Sequence, residues 1–346
     1  MKKSLLSIIS ASVLALTAQA QDVHFTQYFA SPLTLNPAQT GLIDSDWRVT
    51  ANLRQQWYTV SNNPYLSGTI SYDMPVLKNK LPEGDAMGVG LLGVYDKAGA
   101  GGLQNMTFGL SLAYHKAFGV DKQHRISLGA QGMLVQKSID YSKLVFGDQY
   151  VPNNPTNYLP NSQEKFANAD VTYPDFNAGI MYSGKVSEKG TMYAGVAFYH
   201  LTRPEERFIN SGTSLRINSR YSYHLGGSFE MNPNTVLYFS SMLQSQGPAL
   251  EALVGGAVGF VMNPGHDEYT KSTVFYLGAW YRYNDGVAPY IGFEWSKWKI
   301  GFTYDVTLSQ ASAMTLNQGA WEMALTYNGI FKSNPSRSYN FACPKF

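Results

Sequence analysis

Residues 298–308 read Trp-Lys-Ile-Gly-Phe-Thr-Tyr-Asp-Val-Thr-Leu, large and apolar or aromatic at every even position and small, polar or charged at every odd one. A strand points successive side chains to opposite faces, so this segment has one oily face and one wet face. The period recurs. In 105–115, Met106, Phe108, Leu110, Leu112 and Tyr114 alternate with small or polar residues, and in 275–284 Phe275, Leu277, Ala279, Tyr281 and Tyr283 share one face. Helical spacing fits neither segment as well. Such a chain has two ways to bury its oily faces: a shared core or lipid.

Fourteen strands are expected, at 48–60, 65–77, 86–97, 103–117, 124–138, 175–186, 190–201, 219–231, 234–244, 249–262, 272–284, 287–295, 298–308 and 319–331. Turn signals separate them, among them Asn-Asn-Pro at 62–64 and Asn-Asp-Gly at 284–286. Fourteen is even, as in bacterial single-chain outer-membrane barrels, and leaves both chain ends on the periplasmic side. The three longest connections, 139–174, 202–218 and 309–318, then all fall on the opposite side, and links as short as Ser296-Lys297 lie on the periplasmic one. A soluble antiparallel sandwich also alternates, but it rarely needs so many strands of about ten or more residues. Only 14% of residues are charged, against about 25% in ordinary soluble chains. Strands facing lipid on one side and a lumen on the other explain that deficit without high hydropathy. The expected fold is all-β: a transmembrane antiparallel β-barrel of about 14 strands over 48–331, multi-pass in the outer membrane.

The first twenty residues agree with that destination. Lys2 and Lys3, an apolar run over 5–16 and Ala18-Gln19-Ala20 have the layout of a cleavable secretory signal, with cleavage after Ala20. The run is too short for a spanning helix, which needs roughly 20 apolar residues. Residues 21–47 carry Pro32 and Pro37 and little alternation, and read as a periplasmic N-terminal segment that either lines the periplasmic mouth or tucks into the lumen. Residues 332–346 follow the last strand as a periplasmic tail, either free to touch a partner or tucked into the lumen.

With the aromatic face outward, Arg48, Arg54, Glu230, Arg282, Glu294, Lys299, Asp305 and Glu322 point into the lumen. The first and last strands must pair to close the barrel, so Arg48 and Arg54 are candidates to meet Glu322 across the seam. Arg282, Glu294 and Asp305, on three consecutive strands, are candidates for one lumen network. Mixed signs favour charges that pair and fill the interior over a ring that selects a solute. The six His residues show no metal-binding spacing, and no Ser lies in Gly-x-Ser-x-Gly. No catalytic, cofactor or metal residue is assigned, and the chain does not read as an enzyme; His115 and His224 are the inward groups a barrel hydrolase would use. A net charge of +2 gives no argument for nucleic acid, and the single Cys343 excludes an internal disulfide.

Several motifs carry a resemblance. His24-Phe25-Thr26-Gln27-Tyr28-Phe29-Ala30-Ser31-Pro32-Leu33-Thr34-Leu35-Asn36-Pro37-Ala38, with Gly41 beyond, resembles the start of mature PorP/SprF-family proteins. Further marks follow in order: Arg54-Gln55-Gln56-Trp57, Leu144-Val145-Phe146-Gly147-Asp148-Gln149, His200-Leu201-Thr202-Arg203-Pro204, Arg220-Tyr221, Gly278-Ala279-Trp280-Tyr281-Arg282 and Gly301-Phe302-Thr303-Tyr304-Asp305-Val306. The end, Cys343-Pro344-Lys345-Phe346, is similar to the family's Cys-Pro-basic-Phe. The resemblance implies an outer-membrane barrel of type IX secretion and gliding that helps export or retain large substrates such as adhesins. Implied partners are the machinery's periplasmic ring and peptidoglycan-linked components, with no cofactor. The aromatics of 24–38, with His24, Phe25, Gln27, Tyr28, Pro32, Asn36 and Pro37, suggest a segment that folds against the periplasmic mouth and plugs it or presents a binding surface. Passive diffusion of small solutes is the alternative function.

Overall fold

In a computed structural model, described for residues 22–60, 62–77, 80–119, 121–151, 159, 161–162, 169–206, 215–263, 273–331 and 346, fourteen antiparallel strands close into one barrel. They are β1 (Trp47–Gln56), β2 (Tyr65–Val76), β3 (Ala86–Ala98), β4 (Leu103–Phe118), β5 (His124–Ser138), β6 (Asp170–Ser187) and β7 (Gly190–Tyr199), then β8 (Arg220–Asn232), β9 (Thr235–Gln246), β10 (Ala249–Asn263), β11 (Thr273–Arg282), β12 (Gly286–Trp295), β13 (Trp298–Thr307) and β14 (Gln318–Gly329). Each pairs with its neighbour in sequence, and β1 pairs with β14 from Trp47↔Gly329 to Gln56↔Ala320. Closure leaves no free edge, which lipid requires because it offers the backbone no hydrogen bonds.

Most boundaries fall within two residues of the expected ones, and two differ by more. The first strand ends at Gln56, because Trp57 takes a left-handed conformation (φ 58°) that ends the extended run. The sixth begins at Asp170, five residues earlier than its apolar pattern suggests. Its first residues, Asp170-Val171-Thr172-Tyr173-Pro174, turn Tyr173 inward and Thr172 outward, the reverse of the apolar-outward alternation in the rest of the strand.

The side chains are inverted relative to a soluble protein. Phe108, Leu110, Leu134, Phe176, Leu277 and Ile300 are exposed on the outer wall, while Asn52, Asp73, Gln131, Asn177, Thr303 and Glu322 are buried inside. An apolar belt continuous around a sheet far exceeds the patches that water-soluble monomers tolerate; here it faces lipid. Aromatic residues cluster at the end where β1 begins, with Trp298 and Trp47 packed on Tyr327 at 4.5 and 5.1 Å and Trp47 on Tyr72 at 6.0 Å. Their amphipathic rings suit the membrane–water boundary. That end, holding the start of β1, the end of β14 and the turns at 188–189, 233–234 and 296–297, is the terminal rim. The opposite end carries the long connections and is the loop rim.

Candidate functional site in the filled lumen

Residues 22–46 lie inside the barrel, from Asp22 at the loop rim to Asp46 at the terminal rim, where the Asp46 N–H donates to Gly329. The sequence left two places open for this segment, the periplasmic mouth and the lumen. The fold takes it through the lumen, because the wet faces of the strands supply partners along its whole length. Local signals shape it. Pro32 opens a single helical turn over Pro32–Leu35. Asn36, extended before Pro37, accepts from the Ala38 N–H at 2.8 Å and starts the next turn.

At its centre is Glu322 on β14, fully buried. One carboxylate oxygen accepts from the Thr26 N–H at 2.8 Å and Arg54 at 3.3 Å, the other from the Gln27 N–H at 2.8 Å and Asn52 at 3.0 Å. All four lone-pair positions are used. The Thr26 hydroxyl is likewise saturated: it donates to Asp305 at 2.9 Å and accepts from Arg54 at 2.9 Å and Arg282 at 2.5 Å. Arg54 also bridges to Asp305 at 2.7 Å and Arg282 to Asp305 at 3.4 Å. Two backbone N–H groups of the N-terminal segment thus sit where β1 and β14 close the barrel. Removing them would strand a buried carboxylate.

Elsewhere the segment binds the wall at short intervals. The Tyr28 hydroxyl donates to Ser240 at 2.7 Å, and Asn36 donates to the carbonyls of Ile180 and Val196 at 3.1 and 3.3 Å. Tyr199 donates to the Thr34 carbonyl at 2.7 Å, and Gly41 N–H to Asp73 at 2.7 Å. Glycines give it room: a Cβ at Gly88 would overlap the Thr40 carbonyl, one at Gly129 the Pro37–Ala38 peptide, and one at Gly179 the Asn36 side chain. Phe25, Tyr28 and Pro32 are buried and His24 half-buried.

Two expected pairings are corrected by register. Arg48 forms a two-pronged bond to Asp73 on β2 at 2.9 and 2.8 Å, instead of meeting Glu322. It sits at the terminal rim opposite Asn328, whereas Arg54 is the residue that faces Glu322. Glu294 pairs in register with Val274 at the terminal rim and accepts from Tyr276 at 2.6 Å. Arg282 lies near the loop rim, beside Gly286, so the network with Asp305 is completed by Glu251 at 3.3 Å. Glu230, at the end of β8, is exposed.

The loop rim holds a cluster that the alternation does not reveal. His200, just past β7 in a left-handed conformation (φ 56°), turns its ring back into the mouth. Its Nδ1 bonds Asp175 and its Nε2 bonds Asp22, both at 2.7 Å, and Arg220 lies 3.3 Å from Asp22. Burial draws the His200 pKa down, but the two carboxylates outweigh it and push it up to about 9. Burial pushes the Asp22 carboxyl up, yet His200 and Arg220 hold it well below the usual carboxylate range. The cluster ties the start of the inner segment to β6, β8 and the connection after β7.

A profile described as type IX secretion system membrane protein PorP/SprF matches residues 17–327. The chain belongs to this family. This PorP/SprF protein is accordingly a multi-pass outer-membrane barrel of type IX secretion. Similar solved barrels are the toluene transporter TbuX of Ralstonia pickettii (12% identity, 87% of this chain and 94% of that one, TM-score 0.49) and the toluene transporter TodX of Pseudomonas putida (10%, 89% and 95%, 0.49). No curated relative matches. In the PorP/SprF chain, His200 and Arg220 fall in motifs noted above. Asp22, Asp175 and Glu251 carried no signal beyond lying at strand ends or outside strands.

Among the described residues no group of His, Cys, Asp and Glu is arranged to hold a metal ion. His115 is buried beneath the segment, bonding Ser127 at 2.7 Å and the Thr40 carbonyl at 2.8 Å. His224 is buried with neither ring nitrogen paired among the described residues. Cys343 lies outside the described residues. Phe346 is buried in the lumen, its ring 4.9 Å from Phe29.

Proposed function

We propose that the protein is a plugged docking component of the outer membrane that supports export or surface attachment of specific large substrates, adhesins among them. The observation that carries this reading is the saturated Glu322 carboxylate: the lumen is designed around residues 22–46, not around water. A diffusion barrel of this strand number needs an open polar lumen. Here wall groups are spent on an internal peptide, and opposite charges are paired across strands. Terminal-rim surfaces suit contact with the periplasmic ring and peptidoglycan-linked components, and the longer connections of the loop rim suit a client on the cell surface. Binding and positioning, without bond chemistry, are the work such a site performs.

The test is removal of the protein from its own cell, followed by a surface proteome. One or a few large surface proteins should vanish while general secretion continues. An unchanged surface with slowed small-solute uptake would contradict the proposal.

A further inference from the structure

Phe346 stands fifteen residues beyond Phe331, yet is only 2% exposed. Its ring is held by Phe29 of the inner segment at 4.9 Å, Tyr238 of β9 at 4.8 Å, Tyr276 and Trp280 of β11 at 5.2 and 5.9 Å, and Tyr290 of β12 at 5.7 Å. The Lys299 ammonium lies 3.8 Å from the ring centroid, and Tyr193 donates a hydrogen bond to the Phe346 carbonyl. Four of the five rings project from barrel strands, so the cage is built into the wall.

A cavity of about 170 Å³ adjoins the cage. It shares Phe29, Tyr290 and Lys299 with the cage and reaches Asp44 and Asn328 at the terminal rim. Gln27 Oε1 and the Tyr290 hydroxyl belong to residues lining it; both atoms are buried, and among the described residues neither finds a partner. An apolar cage beside a polar space with unmet hydrogen-bonding groups is how a site recognises a peptide: an aromatic side chain anchors, and main-chain amides answer the polar atoms.

We propose that the cage and its adjoining cavity form an exchangeable peptide-binding site, specific for an aromatic side chain, that Phe346 occupies as a self-ligand. A ligand carried on the same chain rebinds intramolecularly and so competes with any peptide in solution. A partner peptide that also fills the cavity makes contacts beyond the cage and displaces it. The site is additional to the docking role proposed above and does not depend on which client is exported.

The experiment uses the full chain in lipid nanodiscs and a dye-labelled peptide copying residues 337–346, read by fluorescence polarisation. Phe346→Ala should bind the peptide about tenfold or more tighter than the unmodified chain, which carries its own competitor. The same peptide with alanine in place of its final phenylalanine should bind neither. Equal binding to both chains, no binding to Phe346→Ala, or equal binding by the alanine peptide would overturn the proposal. If Phe346→Ala lacks the heat-dependent gel shift of a folded barrel, 4-fluorophenylalanine placed at position 346 alone reports on the unmodified wall. Excess peptide must then move its fluorine resonance, and an unmoved resonance overturns the site.

Discussion

Glu322 shows how one side chain can hold a seam. Its carboxylate is out of water and its four acceptor positions face Arg54, Asn52 and two backbone N–H groups. Truncating one partner of such a buried set costs about 3–5 kcal/mol, because the others are left unanswered. Glu322→Ala should lower barrel stability by that order, measured as the urea midpoint in detergent. Glu322→Gln should also destabilise, since its amide N–H₂ faces donors where an oxygen accepted. A stability equal to the unmodified chain in both would contradict the role given to this carboxylate.

His200 makes a pH-dependent contact at the same scale. Its folded pKa, about 9, lies above the ordinary value of 6.5. The stability it contributes is therefore fully present below about pH 6.5 and lost as pH rises through about 9. Asp22 is shifted the other way, so its share is present above its ordinary value of 3.8 and lost on acidification below it. The His200 shift corresponds to about 3 kcal/mol, shared with its carboxylate partners and not additive with theirs. His200→Gln should melt lower than the unmodified chain at pH 6, and the gap should close by pH 10. A constant gap across that range would show that charge plays no part.

At the scale of elements, the barrel wall and the inner segment were unequally legible. Alternation in 105–115 and 298–308 is enough to place β4 and β13, because lipid on one side and polar groups on the other impose the period directly. The segment 22–46 has no period. Its path follows from where glycines leave gaps in the wall and where Asp73, Glu322 and His200 offer partners, facts that exist only after the strands are in register. The misassigned partners of Arg48 and Glu294 have the same origin: both were placed on the right face, but height along the barrel comes from register, not from alternation. The gaps themselves are testable. Gly88→Val would drive a side chain into the Thr40 carbonyl, while β3 and its pairing to β2 and β4 remain satisfied. The variant should still assemble as a barrel, with residues 22–46 released to added protease many-fold faster than in the unmodified chain. Unchanged protease resistance would contradict the packing described.

For the whole molecule, an inverted barrel with an apolar exterior and a polar, peptide-filled interior makes transport and docking distinguishable by current. An eight-stranded barrel is filled by its own side chains, and a sixteen-stranded one leaves a channel. Fourteen strands lie between, and this chain fills the space with its own N-terminal segment. The deciding measurement is single-channel conductance in a planar bilayer, comparing the unmodified protein with a deletion of residues 22–41. The account predicts no steady current from the unmodified barrel and a stable open level from the deletion. A steady, salt-proportional open level in the unmodified protein would contradict it.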